Sequence, residues 1–429
     1  MDVLVCARCV AMRFLPMAFV VFVFGSNLSA STVVVGTCKN LVQFSSIQAA
    51  IDAVPPGSTV DICAATYSEQ IHINKSITLT GVAQNSADAV VILPPAGGLT
   101  ANATSLSSGN PIAGHIAVLG PATVNFNNLI VDSLGNGLSG CGAATLVGIL
   151  YQNATGTLKH VATRNQWIGS SESDGGSNGC QNGLGIFVQS GNSGTSAVTV
   201  QNSSVHDYQK NGITGNESGT SLTVMNSDIV GQGATTGAAE NGIQIGFGAT
   251  GSISGNLVID DVWAPDTITD PGDAAAGILL FDSVNGTSVK SNTVGNTQFG
   301  IAAVTDTGGE GDNATISMNK VFGTRVFDGI DVCVNNSTVQ SNTIMNSSES
   351  AIHLDASCGS TGNGNTVTNN TIIDACTGVL ADSGTSSTTS PNTYFAVGLT
   401  SGSSCTPAPT RSAAKTGRAA RVQYRPVRP

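Results

Sequence analysis

Apolar and polar residues alternate in short segments along most of the chain, and these segments recur in a repeating unit. From 198 to 380, each unit has an alternating apolar segment, usually an Asn, a Val or Ile, a polar turn, and a second apolar segment that begins with Gly or Ala. The apolar residues that anchor successive units are Val205, Ile229, Val258, Val294, Val321, Ile344 and Ile372, spaced by 24, 29, 36, 27, 23 and 28 residues. Alternation predicts short strands, and the varying spacing indicates turns of different length.

A minimum unit of about 22–24 residues with two or three strands has the length of one coil of a parallel β-solenoid. A single coil cannot bury its apolar face, but coils stacked about 4.8 Å apart form a continuous core. An Asn stands two residues before several anchors, namely Asn256, Asn292, Asn319, Asn342 and Asn370. We expect these residues to form an amide ladder inside a turn rather than a binding site. The pattern therefore predicts an all-β fold.

The head of the chain has a different pattern. Ser45 with Gln48 resembles a capping box, and apolar residues follow at helical spacing until Pro55-Pro56-Gly57: Ile47, Ala50, Ile51 and Val54. A short amphipathic helix here would cover the open end of the solenoid, where unpaired strand edges invite aggregation. Strands are predicted next at 60–63, 71–73, 77–79 and 90–93.

Both ends of the chain differ from the repeats. Residues 1–30 have the pattern of a signal peptide, with Arg13 before an apolar run at 14–24 and small residues after it; translation starts at Met1 or Met12. The run is too short to span a bilayer, and no other stretch is long enough. We assign 31–396 to the β-helix and 397–429 to a Ser/Thr/Pro-rich linker and a basic tail that we expect to be disordered. The chain is therefore expected in a secreted, periplasmic or cell-surface location.

Charge is scarce and uneven. Only 10% of the 429 residues are charged, and 52 are Gly. Residues 31–410 contain 8 basic and 26 acidic residues, a net charge of 8 − 26 = −18. Nucleic acid is excluded as a partner of this region because its phosphates need clustered Lys and Arg.

The cysteines favour disulfides. Eight follow the signal peptide, and neighbours along a solenoid are neighbours in space, which predicts the pairs Cys38–Cys63, Cys141–Cys180, Cys333–Cys358 and Cys376–Cys405. A zinc site is the weaker alternative, because no Cys-x-x-Cys follows the signal peptide and the chain has only five His.

The head also carries a family resemblance. The stretch Phe44-Ser-Ser-Ile-Gln-Ala-Ala-Ile-Asp-Ala-Val-Pro-Pro-Gly-Ser-Thr-Val, with Tyr67-Ser-Glu69 and Lys75-Ser-Ile-Thr-Leu-Thr-Gly81, resembles the opening of right-handed parallel β-helix proteins of the pectate-lyase-like superfamily. With the later repeats, the resemblance covers most of 40–396. It implies a right-handed, single-stranded parallel β-helix of about ten to twelve coils and a secreted, carbohydrate-facing role.

The resemblance does not extend to a catalytic motif. The head is most similar to pectin methylesterases, but Ala65 replaces their Gly and their later motifs are absent. Of the polygalacturonase motifs only the dipeptide Asp260-Asp261 is present. The superfamily includes lyases, hydrolases, esterases, epimerases and non-catalytic surface proteins, and no active site carries over from any of them.

Strand alternation places one ionisable pair on the outer surface. If Ile330 and Val332 point inward, Asp331 points outward and stacks on His353 of the next coil. The equivalent outward positions on successive coils are Leu150, Phe187, Thr214, Gln244, Leu279, Ala302, Asp331, His353 and Leu380. We include Gln244 as a candidate for substrate binding because it lies on this column.

More charged residues lie near this pair. Arg325 and Asp328 are in the turn before Asp331, Glu349 is in the next turn, and Asp355 follows His353 by two positions. A neighbouring carboxylate raises the pKa of an imidazole and orients its ring, and an Arg can hold an acidic sugar. We therefore select Asp331, His353, Arg325 and Asp355 as candidate catalytic residues. The alternative is a solvated surface pair of little energetic weight.

Two further segments are candidates for binding. An exposed Trp stacks on sugar rings, whereas a buried Trp only packs a loop, and both alternatives stay open for Trp167, near Arg164, and for Trp263. The acidic stretch of Asp260, Asp261, Asp266, Asp270 and Asp273 is a candidate Ca²⁺ site, because Ca²⁺ prefers six to eight oxygen ligands. A solvated acidic loop is the alternative.

The sequence thus favours a protein that binds or processes a polysaccharide or cell-surface glycan outside the cytoplasm, with lyase or hydrolase chemistry if it is catalytic. The alternative is a non-catalytic, adhesin-like or structural surface protein. Apart from Ca²⁺ no cofactor is expected, and we expect a monomer.

Overall fold

The computed structural model describes residues 29–85, 89–168, 179–264, 274–306 and 310–402. Three long sheets run along the chain, and every coil contributes a strand to each in turn. Apart from one short antiparallel pair, all ladder pairs within these sheets are parallel. The predicted right-handed parallel β-helix is confirmed, and the twelve or thirteen strands of each sheet agree with the expected number of coils.

Strands of successive coils stack on one another within each sheet. In stacking order, the first sheet consists of Gln43–Phe44, Thr32–Val35, Thr59–Cys63, Ile77–Val82, Thr123–Asn127, Thr155–Lys159, Ser196–Gln201, Thr220–Met225, Thr250–Ser254, Ser288–Lys290, Thr315–Ser317, Thr338–Gln340 and Thr366–Thr368. The second consists of Ala65–Ser68, Val90–Leu93, Ile130–Asp132, Ala162–Gln166, Ser204–Tyr208, Asp228–Thr235, Leu257–Trp263, Thr293–Gly295, Lys320–Phe322, Thr343–Met345, Thr371–Ile373 and Thr393–Phe395. The third consists of Ile71–Ile73, Pro111–Leu119, Thr145–Gln152, Leu184–Gln189, Asn211–Asn216, Asn241–Gly246, Ala276–Phe281, Phe299–Val304, Ile330–Cys333, Ser350–Leu354, Thr377–Ala381 and Leu399–Gly402, with Ala103–Thr104 antiparallel to the second of these.

The anchors of the sequence repeat form one apolar column in the second sheet. All seven, from Val205 to Ile372, are consecutive register partners and are fully buried. Stacking of branched side chains on this column removes apolar surface from water in every coil, which stabilises the stack.

The predicted amide ladder is confirmed. The Oδ1 atom of Asn319 accepts from the backbone N (2.9 Å) and from Nδ2 (3.0 Å) of Asn292, and the same pair of bonds links each member to the next. The ladder continues to Asn392 at the last coils. These amides satisfy buried backbone groups at the turn between the first and second sheets, which explains why Asn recurs there.

The helix spans Ile47–Ala53, and its N-cap is Ser46 rather than the predicted Ser45. Ser46 has an extended backbone, and its hydroxyl accepts from the N–H of Ala49 at 3.1 Å. The carboxylate of Glu69 accepts from the N–H groups of Ile47 (2.8 Å) and Gln48 (2.9 Å). Glu69, part of the motif shared with the esterases, thus caps the helix in this chain. With seven residues, the only helix in the described ranges is too short to cross a membrane.

Three of the predicted disulfides are present: Cys38–Cys63, Cys141–Cys180 and Cys333–Cys358. Such bonds are typical of proteins that fold outside the reducing cytoplasm. The fourth pair includes Cys405, which lies outside the described residues, as do the basic tail and nearly all of the signal peptide; these stay predictions. The strand Leu399–Gly402 extends the solenoid past the boundary predicted at 396.

Candidate active site

The predicted outward column exists in the third sheet. Its members from Leu150 to Leu380 are consecutive register partners, and Asp331 pairs with His353. The column is not a solvated stripe, however, because Asp331 is only 5% exposed. Phe327 in the preceding turn stacks on Phe299 at 4.6 Å and packs with Ala302, the register neighbour of Asp331. A solvated position therefore does not apply to Asp331.

His353 lies between two carboxylates. Its Nδ1 is 3.2 Å from Oδ2 of Asp328, and its Nε2 is 3.3 Å from Oδ1 of Asp382. Because both partners accept hydrogen bonds, the arrangement suits the doubly protonated ring. Burial opposes this charge, but the hydrogen bond to Asp328, the charge of Asp328 and the hydrogen bond to Asp382 outweigh it and raise the pKa of His353 to about 10. At neutral pH the ring is therefore an imidazolium and not a base.

Asp328 holds this arrangement in place. Its Oδ1 accepts from the backbone N–H of Ser350 at 3.0 Å and from the Ser350 hydroxyl. Its side chain is 3% exposed, so the three contacts fix a buried carboxylate at the turn that leads into the third sheet.

Asp331 is also shifted towards its protonated form, which for a carboxyl group is the neutral one. Its Oδ1 is buried and has no hydrogen-bond partner among the described residues. Burial, and then the negative charge of Asp328, raise the pKa of Asp331 well above its ordinary value. The neutral, protonated form of Asp331 is therefore favoured beside the positively charged ring.

The rest of the cluster borders solvent. The side chain of Asp382 is 34% exposed, and although burial opposes its charge, the Ala356 N–H and His353 lower its pKa. Burial, and then Asp328, raise the pKa of Glu349. Of the remaining two predicted residues, Asp355 lies in the cluster and accepts from the Ser357 N–H at 2.6 Å, whereas Arg325 is exposed in the turn before Asp328.

Sequence reasoning missed Asp382. It follows Leu380 by two positions, as Asp355 follows His353, so the rule that found Asp355 would have found it one coil later. Two overlapping sets in this cluster also bring metal-ligand atoms within 4.8 Å of one another: Asp328, Asp331 and His353, and His353, Asp355 and Asp382. Carboxylate and imidazole donors bind divalent metals, but His353 would have to lose a proton to become a ligand.

The predicted binding residues have different surroundings. Arg164 pairs with Asp132 through its Nε at 2.7 Å, and Trp167 is half-buried beside it. Trp263 is 2% exposed and packs on Ala239 and Ala275. This burial agrees with the packing alternative, and Trp263 does not offer an exposed ring for stacking on a sugar. The Gln244 side chain is buried, and its amide bonds Asn211 and Asn216.

The two candidate Ca²⁺ residues that the structure describes, Asp260 and Asp261, have separate hydrogen-bond partners and do not form a common site. Asp260 and Asp261 lie in the strand Leu257–Trp263 rather than in a loop. Asp261 is buried and accepts from the Tyr208 hydroxyl at 2.6 Å, whereas Asp260 accepts from the Asn296 side chain at an exposed position. Asp266, Asp270 and Asp273 lie outside the described residues, so Ca²⁺ binding stays a prediction.

Solved structures with a similar fold have low sequence identity to this chain. The A-module of the mannuronan C-5 epimerase AlgE4 from Azotobacter vinelandii has a TM-score of 0.50 and 13% identity, covering 83% of this chain and 92% of that one. The GH136 lacto-N-biosidase from Eubacterium ramulus has a TM-score of 0.52 and 11% identity, covering 86% and 68%. The alginate lyase AlyF-OU02 has a TM-score of 0.50 and 12% identity, covering 82% and 73%.

The chain has the parallel β-helix fold. The resemblance inferred from the head and the repeats is confirmed at this level. Comparisons with protein families and with curated proteins give no match.

Proposed function

We propose that this chain processes a polysaccharide outside the cytoplasm and that Asp331 donates a proton to the glycosidic oxygen. The structures with a similar fold are named for action on glycans: a mannuronan epimerase, a lacto-N-biosidase and an alginate lyase. That likeness concerns the fold, so the support for chemistry comes from the cluster itself.

The observation that supports the proposal most strongly is that two carboxyl groups near the His353 imidazolium have pKa values shifted in opposite directions. The pKa of Asp331 is raised and that of Asp382 is lowered, so one carries a proton while the other is ionised at the same pH. General acid catalysis assisted by a stabilising or basic carboxylate requires such a pair, in which one carboxyl group is protonated and the other is ionised. Glycoside hydrolysis uses two carboxyl groups in these roles.

The charge of the cluster favours a neutral glycan. Among the described residues, five carboxyl groups, Asp328, Asp331, Glu349, Asp355 and Asp382, lie around one cationic ring, that of His353, and Arg325 is exposed in the preceding turn. Even with Asp331 protonated, carboxylates outnumber cations, and a uronate would meet repulsion. Hydrolysis of a neutral polysaccharide is therefore favoured over β-elimination of an acidic one.

A screen of neutral and acidic polysaccharides tests this function. New reducing ends and unsaturated-uronate absorbance are read in parallel, with added Ca²⁺ and with a chelator. We expect reducing ends from a neutral polysaccharide without uronate absorbance. Uronate absorbance would instead identify a lyase, and binding without either product would support the non-catalytic alternative.

The Ca²⁺ arm tests the acidic segment at 260–273 separately. Calorimetry that detects neither heat of binding nor a thermal shift with Ca²⁺ would remove that segment as a metal site.

A further inference from the structure

A concave site lies beside the turn between the second and third sheets, several coils before the Asp331 cluster. Its cavity has a volume of ≈ 300 Å³ and is lined by Trp167, Asn136, Asn165, Asp207 and Gln232, among others. Ligand sites start at about this volume, and they combine an aromatic surface with a few fixed polar groups. This lining has both.

The polar wall of the cavity is fixed by Asp132. Its carboxylate, 5% exposed as a residue, accepts from Nε of Arg164 (2.7 Å), Nδ2 of Asn165 (2.7 Å) and the N–H of Leu134 (3.0 Å). Although burial opposes the charge, these donors lower the pKa of Asp132, so it stays ionised and keeps its contacts at neutral pH.

The aromatic wall is fixed in the same way. The Nδ2 of Asn136 donates to the backbone carbonyl of Trp167 at 2.8 Å and to that of Ser133 at 3.1 Å. The indole lies against Gly237, where a Cβ atom would come within 2.4 Å of Cη2. Glycine at this position therefore makes room for the ring, whose remaining surface borders the cavity.

The charges around the cavity do not favour an anionic ligand. Arg164 is bound by Asp132, and Asp207 lies 2.6 Å from Nδ1 of His206. The hydrogen bond with His206 lowers the pKa of Asp207, so its carboxylate is an ionised acceptor. A half-buried indole, two amide side chains at Asn165 and Gln232, and an acceptor carboxylate match the apolar face and hydroxyl groups of a neutral sugar ring.

We propose that this cavity binds a neutral sugar residue of a glycan and is separate from the Asp331 cluster. In the third sheet, the strand of the Trp167 coil, Leu184–Gln189, is five steps from Ile330–Cys333, and that of the Gln232 coil, Asn241–Gly246, is three steps from it. At about 4.8 Å per coil, these separations are about 24 Å and about 14 Å along the axis, so no single sugar reaches both sites. The cavity acts as an anchoring site for an extended chain.

Tryptophan fluorescence tests the site, because the chain contains only two Trp, one half-buried and one buried. The probes are neutral hexasaccharides built of glucose, mannose, galactose and lacto-N-biose units, with a hexauronate as the acidic comparison. We expect a neutral hexasaccharide to change the emission in a saturable way in the wild type and in Trp263→Phe, but not in Trp167→Phe. Asp207→Asn and Gln232→Ala should each raise the Kd by about tenfold.

Three results would overturn the assignment: no neutral probe changes the emission, the hexauronate binds more tightly than every neutral probe, or Trp167→Phe keeps the full response. Asp331→Asn separates this site from the proposed activity. It should keep the emission change, so absence of turnover in the polysaccharide screen leaves this test intact. Loss of the response in Asp331→Asn, in a variant with wild-type thermal stability, would contradict two separate sites.

Discussion

His353 shows how a single residue determines the charge of the candidate active site. Its two ring nitrogens lie close to the carboxylates of Asp328 and Asp382. These contacts favour the doubly protonated ring, so the ring is a cation beside Asp331. Strand alternation alone, with Ile330 inward and Asp331 outward, correctly places the pair in register. It does not predict the burial of Asp331, because that depends on Phe327, whose turn has no periodic pattern.

The raised pKa of His353 predicts a pH-dependent stability. In the unfolded chain His loses its proton near pH 6.5, but in the folded chain near pH 10, so its stabilising effect is complete below about pH 6.5 and is lost as the pH rises to about 10. The slope from one such proton is up to about 1.4 kcal/mol per pH unit. Denaturant unfolding at pH 6 to 9 should show a shallower decline in His353→Gln than in the wild type. His72→Gln, which removes an exposed histidine outside the cluster, is the matched control. Equal declines in wild type and His353→Gln would show that the ring is not held as an imidazolium.

At the scale of the element, most of the structure that the sequence predicts correctly lies in the recurring strands and the recurring Asn turn of each coil. The anchors and the Asn ladder were predictable because each recurs at one register position, where the same burial and hydrogen bonding apply in every coil. Irregular turns have no such repetition. The burial of Trp263 and the helix cap at Ser46 depend on local chain paths that spacing does not encode, whereas the position of Asp382, two residues after Leu380, was within reach of the spacing rule.

The Asn ladder should be a measurable source of stability. Asn319→Ala leaves the N–H of Asn292 and the carbonyl of Val289 without their present partners, and the side chain is 1% exposed. We expect a loss of about 1–3 kcal/mol in the free energy of unfolding, measured by denaturant titration. Ser252→Ala, at an exposed strand position, should change it by less than about 0.5 kcal/mol. A loss at Asn319 no larger than this control would show that the ladder adds no stability.

At the scale of the whole molecule, the solenoid explains the composition and isolates the charge. Small and branched residues fill a continuous core, and polar turns supply the surface, so few ionisable residues are required. A cluster of ionisable side chains is therefore conspicuous. The densest one predicted from the sequence lies at 325–355, and the structure brings its acidic residues and His353 close together. Two sites three to five coils apart suit a long polymer better than a small ligand.

The central claim, that Asp331 is a proton donor, is tested most directly by the initial rate of reducing-end release in Asp331→Asn. Asparagine matches a protonated carboxyl in size and neutrality but cannot release its proton to a leaving group, so folding is preserved while acid catalysis is removed. We predict a fall in kcat of about 10²–10⁴-fold with unchanged or higher thermal stability. Asp61→Asn, at an equally buried carboxylate that pairs with Lys39, should keep the wild-type kcat. A kcat for Asp331→Asn equal to that of the wild type would contradict the claim.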